Sequence, residues 1–191
     1  MELKTIDKAT LATLPAEVFP GRIELVQTPA AAVKALRFLM DQPMVGFDTE
    51  TRPTFRKGES HNVALMQLST PDICFLFRLN RLGLIPELQE FLESAQVTKI
   101  GLSTKDDFHV LRRLAPVEPR GFIELQSWIK QFGIGEASLT KIYALVFGKR
   151  ISKAQRLTNW EATELTLPQQ RYAALDAWAC LRIYQHLSAS K

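Results

Sequence analysis

This sequence predicts an α/β domain with a mixed central sheet and helices on both faces. Strand-like runs come first as a block between residues 44 and 79. Short strands and amphipathic helices then alternate, the pattern of layered α/β folds. The chain has 191 residues, 46% hydrophobic and 23% charged, which suits one domain with a sizeable core.

Residues 1–21 hold Pro15 and Pro20 and are expected to form an irregular lead-in to a domain spanning 22–191. Arg22–Gln27 alternates as a strand. Thr28-Pro29 reads as an N-cap followed by proline at the first helical position, opening a helix to Met40. Met44–Thr51, Asn62–Thr70 and Asp72–Leu79 read as strands, the last two joined by a tight Thr-Pro-Asp turn. Pro86–Ser94 reads as a helix, Lys99–Ser103 as a short strand, and Thr104–Leu114 as a helix capped by Thr104. Phe122–Leu125 is a further strand, Ser138–Phe147 a helix ended by Gly148, and Pro168–Leu187 a long final helix.

No apolar run is long enough to span a membrane, and the start, MELKTIDKAT, lacks the apolar segment of a secretory signal. The two cysteines, Cys74 and Cys180, fit no zinc or redox spacing and read as core thiols of a reducing compartment, so a cytoplasmic location is expected. The net charge of +4 is mild, but its distribution is not even. Lys141, Lys149, Arg150, Lys153 and Arg156 follow one another with no intervening acid, and Arg52, Arg56 and Lys57 cluster just after Glu50. Either group could be a plain solvated face. Beside the acids described next, both are read as phosphate contacts, with Arg52, Arg56, Lys57, Lys149, Arg150 and Lys153 as candidate nucleic-acid-binding residues.

Side chains two apart on a strand share a face. Asp48 and Glu50 therefore point together from the carboxyl end of Met44–Thr51, opposite to Val45, Phe47 and Thr49. Asp107 falls in the first turn of its helix, on the apolar stripe of Val110, Leu111 and Leu114, whereas Asp106 faces solvent. In the last helix Tyr172, Asp176, Ala179, Ile183 and Leu187 recur at helical spacing, so Asp176 interrupts a core-facing stripe. A buried carboxylate demands an ion pair, for which Arg182 or Arg22 are candidates, or a metal. Four carboxylates in one pocket would repel one another unless divalent cations neutralised them, and oxygen ligands favour Mg²⁺ or Mn²⁺ over zinc. His61, His109 and His186 are scattered and form no rival metal cluster.

Three segments, Phe47-Asp48-Thr49-Glu50, Gly101-Leu102-Ser103-Thr104-Lys105-Asp106-Asp107 and Tyr172-Ala173-Ala174-Leu175-Asp176, resemble the exonuclease motifs of the DEDD superfamily. The tyrosine four residues before the last aspartate is similar to that of the tyrosine subtype; the histidine subtype would carry histidine where Arg171 stands. Among subfamilies the chain resembles the Werner helicase exonuclease domain and the ribonuclease D catalytic domain, with Val63–Leu68, Ser138-Leu139 and Thr158-Asn159-Trp160 as supporting stretches. The resemblance implies a ribonuclease-H-like three-layer α/β/α fold. It also implies two-metal, 3′→5′ hydrolysis of a terminal phosphodiester in a single-stranded or 3′-ended DNA or RNA. Asp48, Glu50 and Asp176 would bind the two ions, Asp107 would complete the ligand set, and Tyr172 would place the attacking water. A non-catalytic nucleic-acid-binding module on the same fold is the alternative.

Overall fold

The computed structural model describes residues 3–189; the outermost two positions of the expected lead-in and of the expected domain lie outside the described residues. The strands are β1 (Arg22–Val26), β2 (Met44–Thr51), β3 (Val63–Ser69), β4 (Ile73–Phe77), β5 (Thr98–Gly101) and β6 (Phe122–Glu124). They form one six-stranded sheet in the order β1-β4-β3-β2-β5-β6. The β2, β3 and β4 strands run antiparallel in sequence, while β1 joins β4, and β5 joins β2 and β6, in parallel. The helices are α1 (Lys8–Thr13), α2 (Pro29–Met40), α3 (Leu79–Leu82), α4 (Pro86–Glu93), α5 (Thr104–Leu111), α6 (Leu125–Trp128), α7 (Leu139–Phe147) and α8 (Leu167–Ser188), with a 3₁₀ turn at Ile129–Phe132.

The alternation of β2 builds the layers. Val45 and Phe47 enter one apolar layer with Ala35 and Leu39 of α2, Leu88 and Phe91 of α4, and Leu111 of α5. The opposite face of the sheet is covered by α8, which shares its apolar layers with α6 and α7. This is the predicted three-layer arrangement around a mixed sheet. Gly46 sets how closely α8 lies on it: a Cβ there would fall 1.8 Å from the carbonyl oxygen of Ala177. Only glycine permits that approach, and it carries Asp176, the residue before Ala177, down to the acids of β2. No helix among the described residues is long and apolar enough to cross a membrane.

Several local expectations change. The lead-in is not irregular throughout, because Asp7 caps α1 by accepting the Thr10 amide at 2.8 Å. This segment is also tied to the domain: Glu17 is buried and accepts from Tyr143 Oη at 2.8 Å, Lys149 Nζ at 3.1 Å and Arg182 Nη1 at 2.7 Å. The strand expected to reach Leu79 stops at Phe77, and Leu79–Leu82 coils into α3. Ser103, not Thr104, holds the cap position of α5, in the left-handed region (φ 60°, ψ 34°) and without a side-chain cap. Thr104 turns inward instead, with its methyl over Gly101, where a Cβ would stand 2.6 Å away. Both cysteines are free and buried, as expected of core thiols.

Candidate active site

The acids of β2 and α8 meet at the carboxyl end of β2. Asp48, Glu50 and Asp176 each bring a carboxylate oxygen within 4.8 Å of the others. Glu50 and Asp176 are buried and Asp48 half-buried. The β2–β3 ladder shifts register between Glu50 and Thr51, beside these acids. The ion-pair alternatives for Asp176 are not realised. Arg182 bonds Glu17 and Tyr143, and Arg22 pairs with Glu24. Asp176 Oδ1 is instead buried with no hydrogen-bond partner.

Asp107 comes from the other layer and lies outside this group of three, although its charge acts on Asp48 and Glu50. Thr49, which faces away from Asp48 and Glu50 on β2, donates its hydroxyl to Asp107 Oδ1 at 2.5 Å. The turn that starts α5 is clasped from β6, where Glu124 Oε1 accepts the Ser103 amide at 2.9 Å and Oε2 the Ser127 amide at 3.0 Å. Asp107 is buried and Asp106 exposed, as the helical stripe predicts.

Burial pushes all four carboxyls upward, and the neighbouring acids add to it at Asp48 and Glu50. Burial acts first on Asp48, followed by the charges of Glu50, Asp107 and Asp176. Glu50 rises well above the usual carboxylate range by burial and the charges of Asp176 and Asp107, against weaker opposing effects of Gln67 and Arg156. Asp176 is pushed up to about 7 by burial, opposed by the Tyr172 hydroxyl and by Lys153. Asp107 also reaches about 7 by burial, although the Thr49 hydroxyl opposes this. Among the described residues none of these carboxylates joins a salt bridge. An all-oxygen cluster with an unpaired buried oxygen and no balancing side-chain ion pair fits a hard divalent cation such as Mg²⁺ or Mn²⁺.

Tyr172 stands one turn before Asp176, and its hydroxyl is directed at the Asp176 carboxylate. Burial, then the charges of Asp176, Glu50 and Asp48, hold the phenol firmly protonated, so it donates a hydrogen bond rather than acting as a base. Its ring lies against the fully buried Trp160, centroids 5.9 Å apart. Gln169 ties this tryptophan's loop to the helix. Its Oε1 accepts the Thr166 amide at 3.0 Å in a capping box, and its Nε2 donates to Thr158 Oγ1 at 2.9 Å.

The family model for the 3′-5′ exonuclease matches residues 23–190. The chain belongs to the 3′-5′ exonuclease family. The mouse bifunctional 3′-5′ exonuclease/ATP-dependent helicase WRN is 34% identical over 155 residues, covering 78% of this chain and 11% of that protein. The exonuclease 3′-5′ domain-containing protein 2 of Drosophila melanogaster is 34% identical over 148 residues, covering 75% of this chain and 25% of that protein. The chain thus spans a quarter or less of the length of these two curated relatives. Among solved structures, the Aedes aegypti Nibbler EXO domain superposes with a TM-score of 0.78 at 23% identity, covering 99% of this chain and 92% of that one. Escherichia coli RNase D superposes with a TM-score of 0.77 at 21% identity, covering 88% of this chain and 46% of that one. The ribonuclease-H-like fold that the motifs imply is the fold of this exonuclease-family chain.

The candidate phosphate contacts of this family member divide. Lys149 is engaged by Glu17, and Arg150 donates from Nε to the Leu14 carbonyl at 3.0 Å, so the N-terminal segment occupies both. Arg52 pairs with Glu161 at 3.3 Å at the surface. Arg56 and Lys57 are exposed in the loop after β2, beside Phe55, which is 75% exposed. Lys153 is exposed and acts electrostatically on Asp176. Arg156 does the same to Glu50, which the spacing of the basic run could have suggested. Thr49, Glu124 and Phe55 carry no individual signal in the sequence, whereas Trp160 is marked by its place in the Thr158-Asn159-Trp160 stretch before the last helix.

Proposed function

We propose that the chain is a 3′→5′ exonuclease that hydrolyses the terminal phosphodiester of a DNA or RNA strand with two divalent cations, Mg²⁺ or Mn²⁺, and releases nucleoside 5′-monophosphates. The observation that carries this reading is Asp176 Oδ1, buried without a hydrogen-bond partner in a carboxylate cluster with Asp48 and Glu50. Asp48, Glu50 and Asp176 would hold the ions, and Asp107, fixed by Thr49, would complete the set. When bound, the cations supply a water of lowered pKa and neutralise charge on the leaving oxygen. Tyr172 keeps its proton and orients the attacking water by a hydrogen bond. Lys153 and Arg156 bind phosphate at the mouth of the cleft, and Arg56, Lys57 and Phe55 take the strand beyond it by charge and stacking. One relative has been solved as an RNase D complex with RNA U12, from Trypanosoma brucei, which supports including RNA among the test strands.

The test is product analysis on matched DNA and RNA strands, 3′-labelled, 3′-blocked or circular, with Mn²⁺ or with chelator. Mononucleotides are expected from free 3′ ends only, and none with chelator. Binding without release would mark a non-catalytic module, and cutting of circles would mark an endonuclease. Tyr172→Phe is expected to slow turnover by ~10–100-fold with Mn²⁺ affinity unchanged, read by single-turnover cleavage beside calorimetric titration. Unchanged turnover would remove the phenol from water placement.

A further inference from the structure

One buried polar group beside the cluster has no place in the mechanism above. Gln67 on β3 sits directly opposite Asp48 of β2 in the antiparallel register. Directly opposed residues of such a pair share a sheet face, and diagonal neighbours remain within reach of long side chains. Gln67 therefore lies on the face of Asp48 and Glu50, with Glu50 on its diagonal. It is 0% exposed, flanked on that face by Leu65 and Ser69 and opposed from β4 by Leu76, all fully buried. Neither Nε2 nor Oε1 makes a hydrogen bond of ordinary geometry among the described residues. A buried amide left this way is costly, and an apolar residue would fill the position better. The acid group that senses it is Glu50, whose carboxyl it stabilises in the charged form.

We propose that Gln67 is a positioning residue: its amide nitrogen donates to the Glu50 carboxylate and holds it turned toward Asp48 and Asp176, in the arrangement that binds the cation. The proposal rests on the metal reading of the cluster. It accounts for a fully buried amide on the face that carries Asp48 and Glu50, the two acids that the register places opposite and diagonal to it. With the cation bound, Glu50 is charged, and the amide hydrogen bond tightens to a charge-assisted one. Outer partners of this kind orient the ligands they touch.

The test is calorimetric titration of Mn²⁺ into the full chain, wild type beside Gln67→Met and Gln67→Asn, with thermal melts of each in chelator. Gln67→Met keeps the length and removes the amide; Gln67→Asn keeps the amide but draws it back by one methylene. Both are expected to bind Mn²⁺ ~10–100-fold more weakly, while Gln67→Met melts in chelator at or above the wild-type temperature. A merely structural amide would move the chelated melt and leave Mn²⁺ affinity alone. Wild-type affinity in Gln67→Met overturns the proposal. If Gln67→Met does not fold, Gln67→Asn decides by the same criterion. A wild-type chain that takes no Mn²⁺ overturns the metal reading and this proposal together. Equal binding by all three chains overturns this proposal alone.

Discussion

Replacing Asp176 by asparagine is expected to lower hydrolysis by more than ~100-fold, since even outer partners of metal ligands cost about 10–100-fold, while making the metal-free chain melt at a higher temperature. The two effects share one cause. Asparagine keeps the shape of the side chain but removes its charge, so α8 can still settle on β2 at Gly46. It replaces a buried carboxylate, whose Oδ1 has no hydrogen-bond partner, by a neutral amide whose nitrogen can donate to Asp48 or Glu50. A group in that state costs about 1–3 kcal/mol, so in chelator the variant should melt ~2–10 °C higher. Single-turnover cleavage of a labelled strand and calorimetry in chelator read both. Near wild-type turnover would take Asp176 out of the mechanism. A chelated melting temperature at or below wild type would show that the carboxylate is not held at a cost.

The metal-free protein is expected to lose stability as pH rises from about 4 to 7, and divalent cations are expected to restore it. Asp107 and Asp176 are raised from 3.8 to about 7, and Asp48 and Glu50 are raised well above their ordinary values. Each carboxyl therefore holds its proton more tightly in the folded chain than in the unfolded one. In that interval the folded chain carries more protons, so the stability present at low pH is lost as pH passes through the folded values. The loss is on the order of a few kcal/mol. Most proteins with paired carboxylates behave in the opposite sense. Mn²⁺ at a hundredfold excess over its dissociation constant should add about 2.7 kcal/mol near pH 7.5, a rise of ~5–10 °C. Thermal melts across pH, with chelator and with Mn²⁺, check both halves. A flat profile in chelator would mean that the four acids do not crowd one another.

Much of this site was legible because it violates local patterns. Asp176 stands in a stripe of Ala179 and Ile183, both buried in the structure, and only a functional or ion-paired carboxylate survives there. Period-2 alternation likewise put Asp48 and Glu50 on one face, and β2 has the predicted bounds, Met44–Thr51. Contacts from distant parts of the chain could not be read this way. Lys149 and Arg150 look like a solvated basic pair, but their partners Glu17 and Leu14 lie 132 and 136 residues away. The Thr49–Asp107 bond spans 58 residues and depends on how α5 docks against β2. Gly46 reads as a weak point in a strand until the backbone of α8 is seen lying on it. Ser103 adopts a left-handed conformation because Glu124, from a neighbouring strand, takes its amide; Thr104 looks like the cap only while that partner is unseen.

The central claim, that Asp48, Glu50 and Asp176 share a divalent cation, is tested most directly by diffraction from crystals grown with Mn²⁺ and measured at the manganese edge. An anomalous peak is expected within bonding distance of carboxylate oxygens from all three residues, absent when the crystals are back-soaked in chelator. Millimolar Mn²⁺ that leaves no peak there, with Asp176 turned from Asp48 and Glu50 onto a basic side chain, would contradict it.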